Sequence, residues 1–134
     1  MAYWLLKTEP TDYSFADLRR DGETTWEGVR NPTAVKNLRA MQKGDEVMIY
    51  HTGKEKAVVG LAKIARAQEG LIHIKPAKPL PHPITLAQIK AHPAMQTSPL
   101  LRISRLSVVP LAPAQWTALL AISQTPPPVP NFTS

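Results

Sequence analysis

The residues best placed to bind a ligand surround Trp26, which lies shortly before a predicted helix start. Asn31 can cap a helix that Pro32 opens, since proline lacks only an amide hydrogen that would have no partner there. An indole held at this point could stack on a flat ligand. Arg30 and the amides of the first helical turn could bind polar edges or an anion. The alternative is that Trp26 is a core residue beneath a loop.

Two strand ends are expected to bring further polar groups to Trp26. The first strand ends in a cation, a hydroxyl and a carboxylate, and the third ends in an aromatic residue and a histidine. Recognition of a nucleobase requires an aromatic ring that stacks on the face of the base, together with hydrogen-bond donors and acceptors at its edge. The predicted ligand-binding residues are Lys7, Thr8, Glu9, Trp26, Glu27, Arg30, Asn31, Tyr50 and His51. Two alternatives remain open: Lys7 and Glu9 form a surface ion pair, or Tyr50 and His51 only pack on neighbouring residues.

The sequence contains no pattern that demands catalysis or a metal. His51, His73, His82 and His92 are not at the spacing of ligand pairs, and no carboxylate accompanies the last three. The chain has no cysteine, so it offers neither a thiolate nor a disulfide. The glycines are scattered singly rather than grouped in a phosphate-binding loop, and no motif presents a serine to His51. We therefore predict no catalytic residue, no metal and no cofactor.

Positive charge is concentrated in the second half of the chain. Residues 1–69 carry 11 Lys and Arg against 10 Asp and Glu, whereas residues 70–134 carry five cations and no acid. A basic face of this kind attracts phosphates or other polyanions. We predict that Lys75, Lys78, Arg102 and Arg105 contact a nucleic-acid backbone. The alternative is that the charge serves solubility and binds no partner.

The length of 134 residues fits one domain with its own core. We expect this domain at residues 1–123, followed at 124–134 by a mobile tail, since four prolines in five positions do not pack a core. The first residues lack the basic and apolar regions of a signal peptide, and no apolar run approaches the roughly 20 residues of a membrane span. These features predict a cytoplasmic protein without a membrane partner.

Local patterns predict alternating strands and short helices. In the first half we expect strands at 3–7, 46–51 and 57–65, the last two as a hairpin, with Val47 and Ile49 on the inward face of 46–51 or the reverse. We expect helices at 15–20, after a Ser14-Phe15-Ala16-Asp17 capping box, and from Pro32 to about Met41. In the second half we expect strands at 71–75 and 101–109, the latter with Ile103, Leu106 and Val108 alternating with polar residues. A brief helix after the Thr85 capping box and a helix at 112–122 complete the pattern. The prolines of 76–83 predict an extended loop or a sheet edge. The five or six predicted strands are not arranged in repeated βαβ units, which indicates an α+β open barrel with short flanking helices.

Several motifs, in order along the chain, resemble the EVE domain family of the PUA-like superfamily. They are Tyr3-Trp4-Leu5-Leu6-Lys7-Thr8-Glu9-Pro10, Trp26-Glu27-Gly28-Val29-Arg30-Asn31, Asn37-Leu38-Arg39-Ala40-Met41, Gly44-Asp45, Tyr50-His51-Thr52, Val59-Gly60-Leu61-Ala62 and Ser104-Arg105-Leu106-Ser107-Val108. Together they cover nearly all of the chain before the tail. Two features depart from the family: Pro32 and Val35 stand where an aromatic or histidine and a basic residue are frequent, and the loop at 68–70 is shorter than usual.

The resemblance implies a PUA-like barrel with a ligand pocket of the kind that holds a methylated adenine in the related YTH domains. The YTH pattern implies that Lys7, Thr8, Glu9, Trp26 and Glu27 take part in base recognition. Members of the EVE family are regarded as readers of modified bases in DNA or RNA, with no established catalysis. If the loop at 68–70 normally supplies a second wall of the pocket, the pocket of this chain is more open.

Three functions follow from these observations. The leading one is a non-enzymatic module that binds nucleic acid carrying a modified base. The second is a small enzyme acting on nucleotides or nucleic acid, as in ASCH domains, with His51 and Glu9 as its acid–base pair. The third is a pocket for a free small anion. The acid-free basic half favours a polymer, and the lack of a coherent catalytic set disfavours the enzyme.

Overall fold

Six strands form one curled sheet with short helices around it. The computed structural model describes residues 1–27, 29–68 and 71–124. The strands are β1 (Tyr3–Thr8), β2 (Thr24–Trp26), β3 (Glu46–His51), β4 (Ala57–Gln68), β5 (Leu71–Thr85) and β6 (Val108–Leu111). The helices are α1 (Phe15–Asp21), α2 (Pro32–Ala40), α3 (Leu86–Ala91), α4 (Pro99–Arg102) and α5 (Pro113–Gln124), with a 3₁₀ turn at Pro93–Met95. The predicted α+β open barrel of five or six strands is confirmed.

The sheet order is β2-β5-β4-β3-β1-β6, which places β3 and β1 well inside the sheet. β1 pairs parallel with β3 and antiparallel with β6, and β3 and β4 form the predicted antiparallel hairpin. Residues 47–51 are all buried. The alternation expected along β3, with only one of its faces inward, is therefore wrong, because this central strand is covered on both faces.

The caps of α1 and α2 form as their sequences predict. The Ser14 side chain accepts a hydrogen bond from the amide of Asp17, and Gly22 ends α1 in the left-handed region, with φ at 79°. The Asn31 side chain accepts hydrogen bonds from Thr33 and Ala34, so it caps α2 in front of Pro32. Local hydrogen bonds decide both helix starts, and this is why a short stretch of sequence reveals them.

The buried face of α2 differs from the predicted one. The sequence predicts Val35, Leu38 and Met41 as one apolar stripe, but the residues in the core are Ala34, Leu38 and Met41. Val35 is only partly buried and lies beside the exposed basic side of the helix. A small alanine lets α2 approach the sheet closely, so the helix turns its Ala34 side inward.

The expected strand at 101–109 is wrong in its first part. The Ser98 side chain accepts a hydrogen bond from the Leu100 amide at 3.1 Å, and Pro99 occupies the first helical position, so α4 begins there. Ile103 is half exposed, although the predicted alternation requires it inside. The chain pairs with β1 only from Ser107, whose carbonyl accepts a hydrogen bond from the Lys7 amide at 2.9 Å, and the strand itself begins at Val108. Local capping at Ser98 therefore overrides the apparent period-two pattern.

The proline-rich stretch belongs to a strand at the edge of the sheet. β5 continues through Pro76, Pro79, Pro81 and Pro83 as one 15-residue strand. β2 pairs with β5 only at its start, so the later part of β5 pairs with β4 alone among the described strands. Prolines are tolerated in a segment that is paired on one side, because a residue there need not donate a hydrogen bond to a second strand. Of the two predicted possibilities, the edge is the correct one.

Gly60 lets α1 pack directly on β4. A Cβ built on Gly60 would overlap the ring of Phe15, the first residue of α1. The Phe15 ring is buried and rigid, so it cannot move aside easily.

We expect Gly60→Ala to lower the free energy of unfolding by about 2 kcal/mol, since overpacking of a core typically costs roughly 1–3 kcal/mol. Chemical denaturation measures this change. The double variant Gly60→Ala/Phe15→Leu should recover part of the loss, because leucine vacates the ring position. If the single variant is as stable as the parent, the close packing of α1 on β4 is wrong.

Candidate functional site

Trp26 lies in a cavity at the end of β2. The cavity has a volume of about 250 Å³ and is lined by Thr8, Tyr13, Thr24, Thr25, Trp26 and Glu27. β2 pairs antiparallel with β5, with Trp26 opposite Ile72, and the indole packs partly against the core. Trp26 is partly buried, whereas Trp4 and Trp116 are 6% and 5% exposed. We call this site the Trp26 cavity.

Hydrogen bonds within the protein fix most polar groups of the Trp26 cavity. The Thr8 hydroxyl donates to the carbonyl of Tyr13 at 2.6 Å, and the Tyr13 hydroxyl donates to Asp21 at 2.9 Å. Burial raises the pKa of the Tyr13 phenol above its usual value, so it stays protonated. The Thr25 hydroxyl lies 3.1 Å from Nδ1 of His73. This framework holds the walls of the cavity in place.

Glu27 differs from the other lining residues because its carboxylate is exposed and has no hydrogen bond within the described residues. The cavity therefore combines one aromatic face with one carboxylate that is available as an acceptor. This pair can stack on a planar ligand and accept a hydrogen bond from an amino group at its edge.

His51 has a structural role in the described residues. It is 7% exposed, and its Nε2 accepts a hydrogen bond from the backbone amide of Phe15 at 3.0 Å. An amide can only donate, so the ring proton must reside on Nδ1, which donates to Glu55 at 2.8 Å. Nε2 thus joins β3 to the start of α1, and Nδ1 joins β3 to the segment between β3 and β4. This contact matches the alternative interpretation of His51, namely packing on its neighbours.

Glu9 contacts the turn between β3 and β4. Its carboxylate accepts hydrogen bonds from the hydroxyls of Thr52 at 3.1 Å and Thr11 at 3.2 Å. A Cβ added to Gly53 would lie 2.8 Å from Oε2 of Glu9, so the carboxylate is packed closely on this turn. No ion pair joins Lys7 and Glu9 in the described part of the chain, so the surface pair considered above does not form.

Lys7 and Tyr50 line a second cavity, distinct from that of Trp26. Lys7 and Thr8 are consecutive residues of β1, so their side chains leave the sheet on opposite faces. The Lys7 ammonium donates to the carbonyl of Ser104 at 2.9 Å and lies 5.8 Å from the centre of the Tyr50 ring. Burial lowers the pKa of Lys7 and raises that of Tyr50. We call this site, of about 280 Å³, the Lys7 cavity.

Arg30 borders a third depression, along the exposed side of α2. Its volume is about 400 Å³, and its lining residues are Arg30, Pro32, Val35, Lys36 and Arg39. Three of these five are cations, and none of the three forms an ion pair within the described residues. Sequence reasoning missed Lys36 and Arg39, although the complete absence of acids in α2 was a usable signal.

The four cations assigned to a nucleic-acid backbone are all exposed but fall in two places. Lys75 follows directly after Ile74, which pairs with Thr24 of β2, and Lys78 lies three residues further along β5. Arg102 and Arg105 flank Ser104, whose carbonyl binds Lys7. Lys75 is therefore one residue beyond the segment of β5 that pairs with β2, whereas Lys78 pairs with Leu61 of β4, and Arg102 and Arg105 are near the Lys7 cavity.

The predicted ligand-binding residues thus divide among three surfaces. Thr8, Trp26 and Glu27 line one cavity, Lys7 and Tyr50 line another, and Arg30 borders the depression on α2. Glu9, Asn31 and His51 are engaged by hydrogen bonds within the protein. Sequence reasoning missed three lining residues of the Trp26 cavity, namely Tyr13, Thr24 and Thr25. Two of them directly precede Trp26, which was the available signal.

Two further sequence expectations concern metals and membranes. The described residues contain no group of three side chains that could hold a metal ion. None of the helices described here is both long and apolar enough to cross a membrane. The shortened loop at 68–70 and the tail at 124–134 lie largely outside the described residues, although Gln124 forms the end of α5.

Comparison with known proteins gives consistent matches over the described fold. The family model described as EVE domain matches residues 2–122. Thymocyte nuclear protein 1 of Mus musculus is 29% identical over 169 aligned residues, which cover 93% of this chain and 75% of the mouse protein.

Two solved structures share the fold closely. The NMR structure of Rpa0253 from Rhodopseudomonas palustris is 35% identical and superimposes with a TM-score of 0.86, over 92% of this chain and 94% of that chain. The human THYN1 protein, solved in complex with 5-methylcytosine containing DNA, is 24% identical, with a TM-score of 0.87 over 95% of this chain and 100% of that chain. At that identity, the likeness to THYN1 shows a common fold.

Proposed function

The chain belongs to the EVE domain family, and from this premise we propose that it is a non-catalytic module that binds a modified base in DNA or RNA through the Trp26 cavity. The observation that carries this proposal is the combination of a partly exposed indole with a free carboxylate, Glu27, in one small cavity. Base recognition needs a stacking surface and hydrogen-bonding groups at the edge of the base.

The size of the Trp26 cavity suits a single base. Its volume of about 250 Å³ lies below the roughly 300–1,000 Å³ of cavities that hold drug-sized ligands. A base in a duplex must leave the stack to enter such a site, at a cost of a few kcal/mol. A methyl group buried against Trp26 offsets part of this cost, by about 0.8 kcal/mol.

The human relative solved with methylated DNA suggests the first ligand to test, 5-methylcytosine. Cytosine carries an exocyclic amino group, and a glutamate carboxylate is a suitable acceptor for it. Glu27 can take this role, since its carboxylate has no competing hydrogen bond within the described residues. The experiment is equilibrium binding to a panel of short oligonucleotides that differ only in one modified base, as single strands and duplexes of DNA and RNA.

Glu27 and Glu9 should differ in their effect on base preference. We expect Glu27→Gln to reduce the preference for cytosine-type bases by roughly tenfold, since a hydrogen bond to a charged group contributes about 1.5–3 kcal/mol. Glu9→Gln is the matched control, because the Glu9 carboxylate bonds Thr52 and Thr11. Its base preference should equal that of the parent. If Glu9→Gln changes the preference and Glu27→Gln does not, the carboxylate that reads the base is Glu9.

Basic residues near the Trp26 cavity supply the phosphate contacts in this proposal. Lys75 and Lys78 lie on the strand that pairs with β2, and Arg30 follows shortly after Glu27 in sequence. Arg102 and Arg105 form a separate basic place beside the Lys7 cavity, where a longer strand of nucleic acid would make its further phosphate contacts. Affinity then falls with added salt, with a log–log slope of about −0.7 to −0.9 for each phosphate contacted.

The absence of turnover is part of the proposal. An acid–base pair of Glu9 and His51 is disfavoured because hydrogen bonds within the protein engage both ring nitrogens of His51 and both carboxylate oxygens of Glu9. Incubation of purified protein with modified and plain nucleotides should give no hydrolysis, deamination or strand cleavage. If the protein shows such activity, and the activity disappears in both Glu9→Gln and His51→Ala, the protein is an enzyme and the binding-module proposal is wrong.

A cytoplasmic location is proposed on the sequence features alone.

A further inference from the structure

The Lys7 cavity is formed by residues from six parts of the fold, including α4 and the segment that follows it. Lys7 comes from the end of β1, Tyr50 from β3, Lys90 from α3, and Lys56 from the segment between β3 and β4. The remaining lining residues are Thr52, Gly53, Leu86, Leu100, Leu101 and Ser104. Three of the ten lining residues are lysines and none is an acid, so the lining carries positive charge only.

The charge of Lys7 is only partly compensated. Its ammonium donates to one neutral carbonyl and lies over the Tyr50 ring, while burial lowers its pKa. No ion pair to Lys7, Lys56 or Lys90 exists among the described residues. Two carboxylates next to this part of the chain have hydrogen-bond partners: Glu9 accepts from the hydroxyl of Thr52, a lining residue, and Glu55 bonds His51. An anion in the cavity would therefore be bordered by three lysines, none of which is neutralised by an ion pair within the described residues.

Lys56 occupies an unusual backbone conformation next to the cavity. Its φ of 48° lies in the left-handed region, where no other residue except glycine lies among the described residues. Its carbonyl accepts a hydrogen bond from the Leu86 amide at 2.9 Å, which ties this conformation to the start of α3. Strained backbone of this kind often accompanies binding sites. Here it holds the backbone of Lys56, a lining residue, against the start of α3, the helix that carries Lys90.

The walls between the lysines are apolar. Leu86, Leu100 and Leu101 line the cavity together with the ring of Tyr50. An inorganic ion would make no apolar contact with these walls, whereas the organic part of a larger anion would bury them. The volume of about 280 Å³ limits the ligand to a small molecule.

From this arrangement we propose that the Lys7 cavity binds a small organic phosphate of about the size of a nucleoside monophosphate, independently of the Trp26 cavity. The phosphate lies among Lys7, Lys56 and Lys90, and the apolar or planar part of the ligand lies against Tyr50 and the leucines. The site therefore takes a free phosphate ester rather than the base that enters the Trp26 cavity.

The test is a titration of isotope-labelled protein with adenosine 5′-monophosphate, cytidine 5′-monophosphate, inorganic phosphate and adenosine, followed by NMR. Saturable shifts are expected at the amides of Thr52, Gly53, Lys56 and Leu86 with the two nucleotides, with a dissociation constant between roughly 1 μM and 1 mM. Inorganic phosphate should bind more weakly, and adenosine should cause no saturable shift at these amides.

Variants separate this site from the other surfaces. Lys56→Ala/Lys90→Ala removes two exposed cations and should weaken nucleotide binding about tenfold or more. Lys43→Ala/Lys63→Ala removes the same charge from two exposed lysines that line none of the three cavities and should leave binding within about twofold of the parent. Trp26→Ala should bind nucleotides as the parent does. This independence holds whether or not the Trp26 cavity reads a base.

Three results would overturn the proposal. The first is the absence of any saturable shift at these amides with either nucleotide. The second is equal weakening by the two double-lysine variants, which would indicate non-specific attraction. The third is binding of a 5′-phosphorylated dinucleotide but of neither mononucleotide, which would identify the ligand as the end of a strand.

Discussion

Trp26→Ala should weaken binding of a modified oligonucleotide by about 1–3 kcal/mol, which corresponds to roughly 5- to 150-fold in affinity. The reason is the loss of the stacking face that forms one wall of a cavity of about 250 Å³. Trp26 is only partly buried at the end of a three-residue strand, so the fold should survive the change. Equilibrium binding and thermal unfolding of the same preparation measure both effects.

Trp116→Ala is the matched control for this prediction. Trp116 is 5% exposed and stacks on Tyr3, with 4.8 Å between the ring centres. Its truncation should destabilise the protein by about 3–5 kcal/mol and leave the affinity of the folded fraction unchanged. If Trp26→Ala instead unfolds the protein, or binds as tightly as the parent, Trp26 is a core residue and the proposed base site is wrong.

Asp45→Ala should cost roughly 3 kcal/mol or more of stability, since each hydrogen bond to a charged group contributes about 1.5–3 kcal/mol. Asp45 is 4% exposed, and its carboxylate accepts three hydrogen bonds. The donors are the Trp4 indole at 3.0 Å, the Gln42 amide at 2.9 Å and the Ala2 amide at 3.1 Å. Alanine would remove the acceptor for all three and loosen the connection between β1 and the turn before β3. Chemical denaturation measures the loss.

Asp12→Ala provides the control for Asp45, because Asp12 is exposed and its removal deletes the same charge. Its stability should stay within about 0.5 kcal/mol of the parent. Equal effects of the two variants would mean that net charge, rather than the buried hydrogen bonds of Asp45, determines the result.

Features that depend on local hydrogen bonds could be predicted from the sequence. The caps at Ser14, Asn31 and Thr85 form as predicted because each involves residues within three positions of the cap. The hairpin of β3 and β4 was also predictable, since two apolar runs flank a short polar turn. The error at 101–109 arose where the Ser98–Pro99 helix start competed with an apparent alternation.

The sequence could have predicted in part that the site residues lie in separate cavities. Lys7 and Thr8 are adjacent in one strand, and side chains alternate along a strand, so they could not both point into one cavity. The role of His51 could not be predicted from the sequence. Its hydrogen-bond partner Phe15 is 36 residues away, and only the folded chain brings the two together. Asp45 was missed for the same reason, since Trp4 is 41 residues distant.

The most direct test of the central claim is the affinity ratio between two otherwise identical duplexes, one with 5-methylcytosine and one with cytosine, measured over a range of salt concentrations. Burial of one methyl group contributes about 0.8 kcal/mol, so the methylated duplex should bind about fourfold more tightly. Both affinities should fall with salt while their ratio stays constant, because phosphate contacts are common to both duplexes. The ratio should fall to one in Trp26→Ala. Equal affinities of the parent protein for the two duplexes, and for every other modified base of the panel against its plain counterpart, would contradict the account.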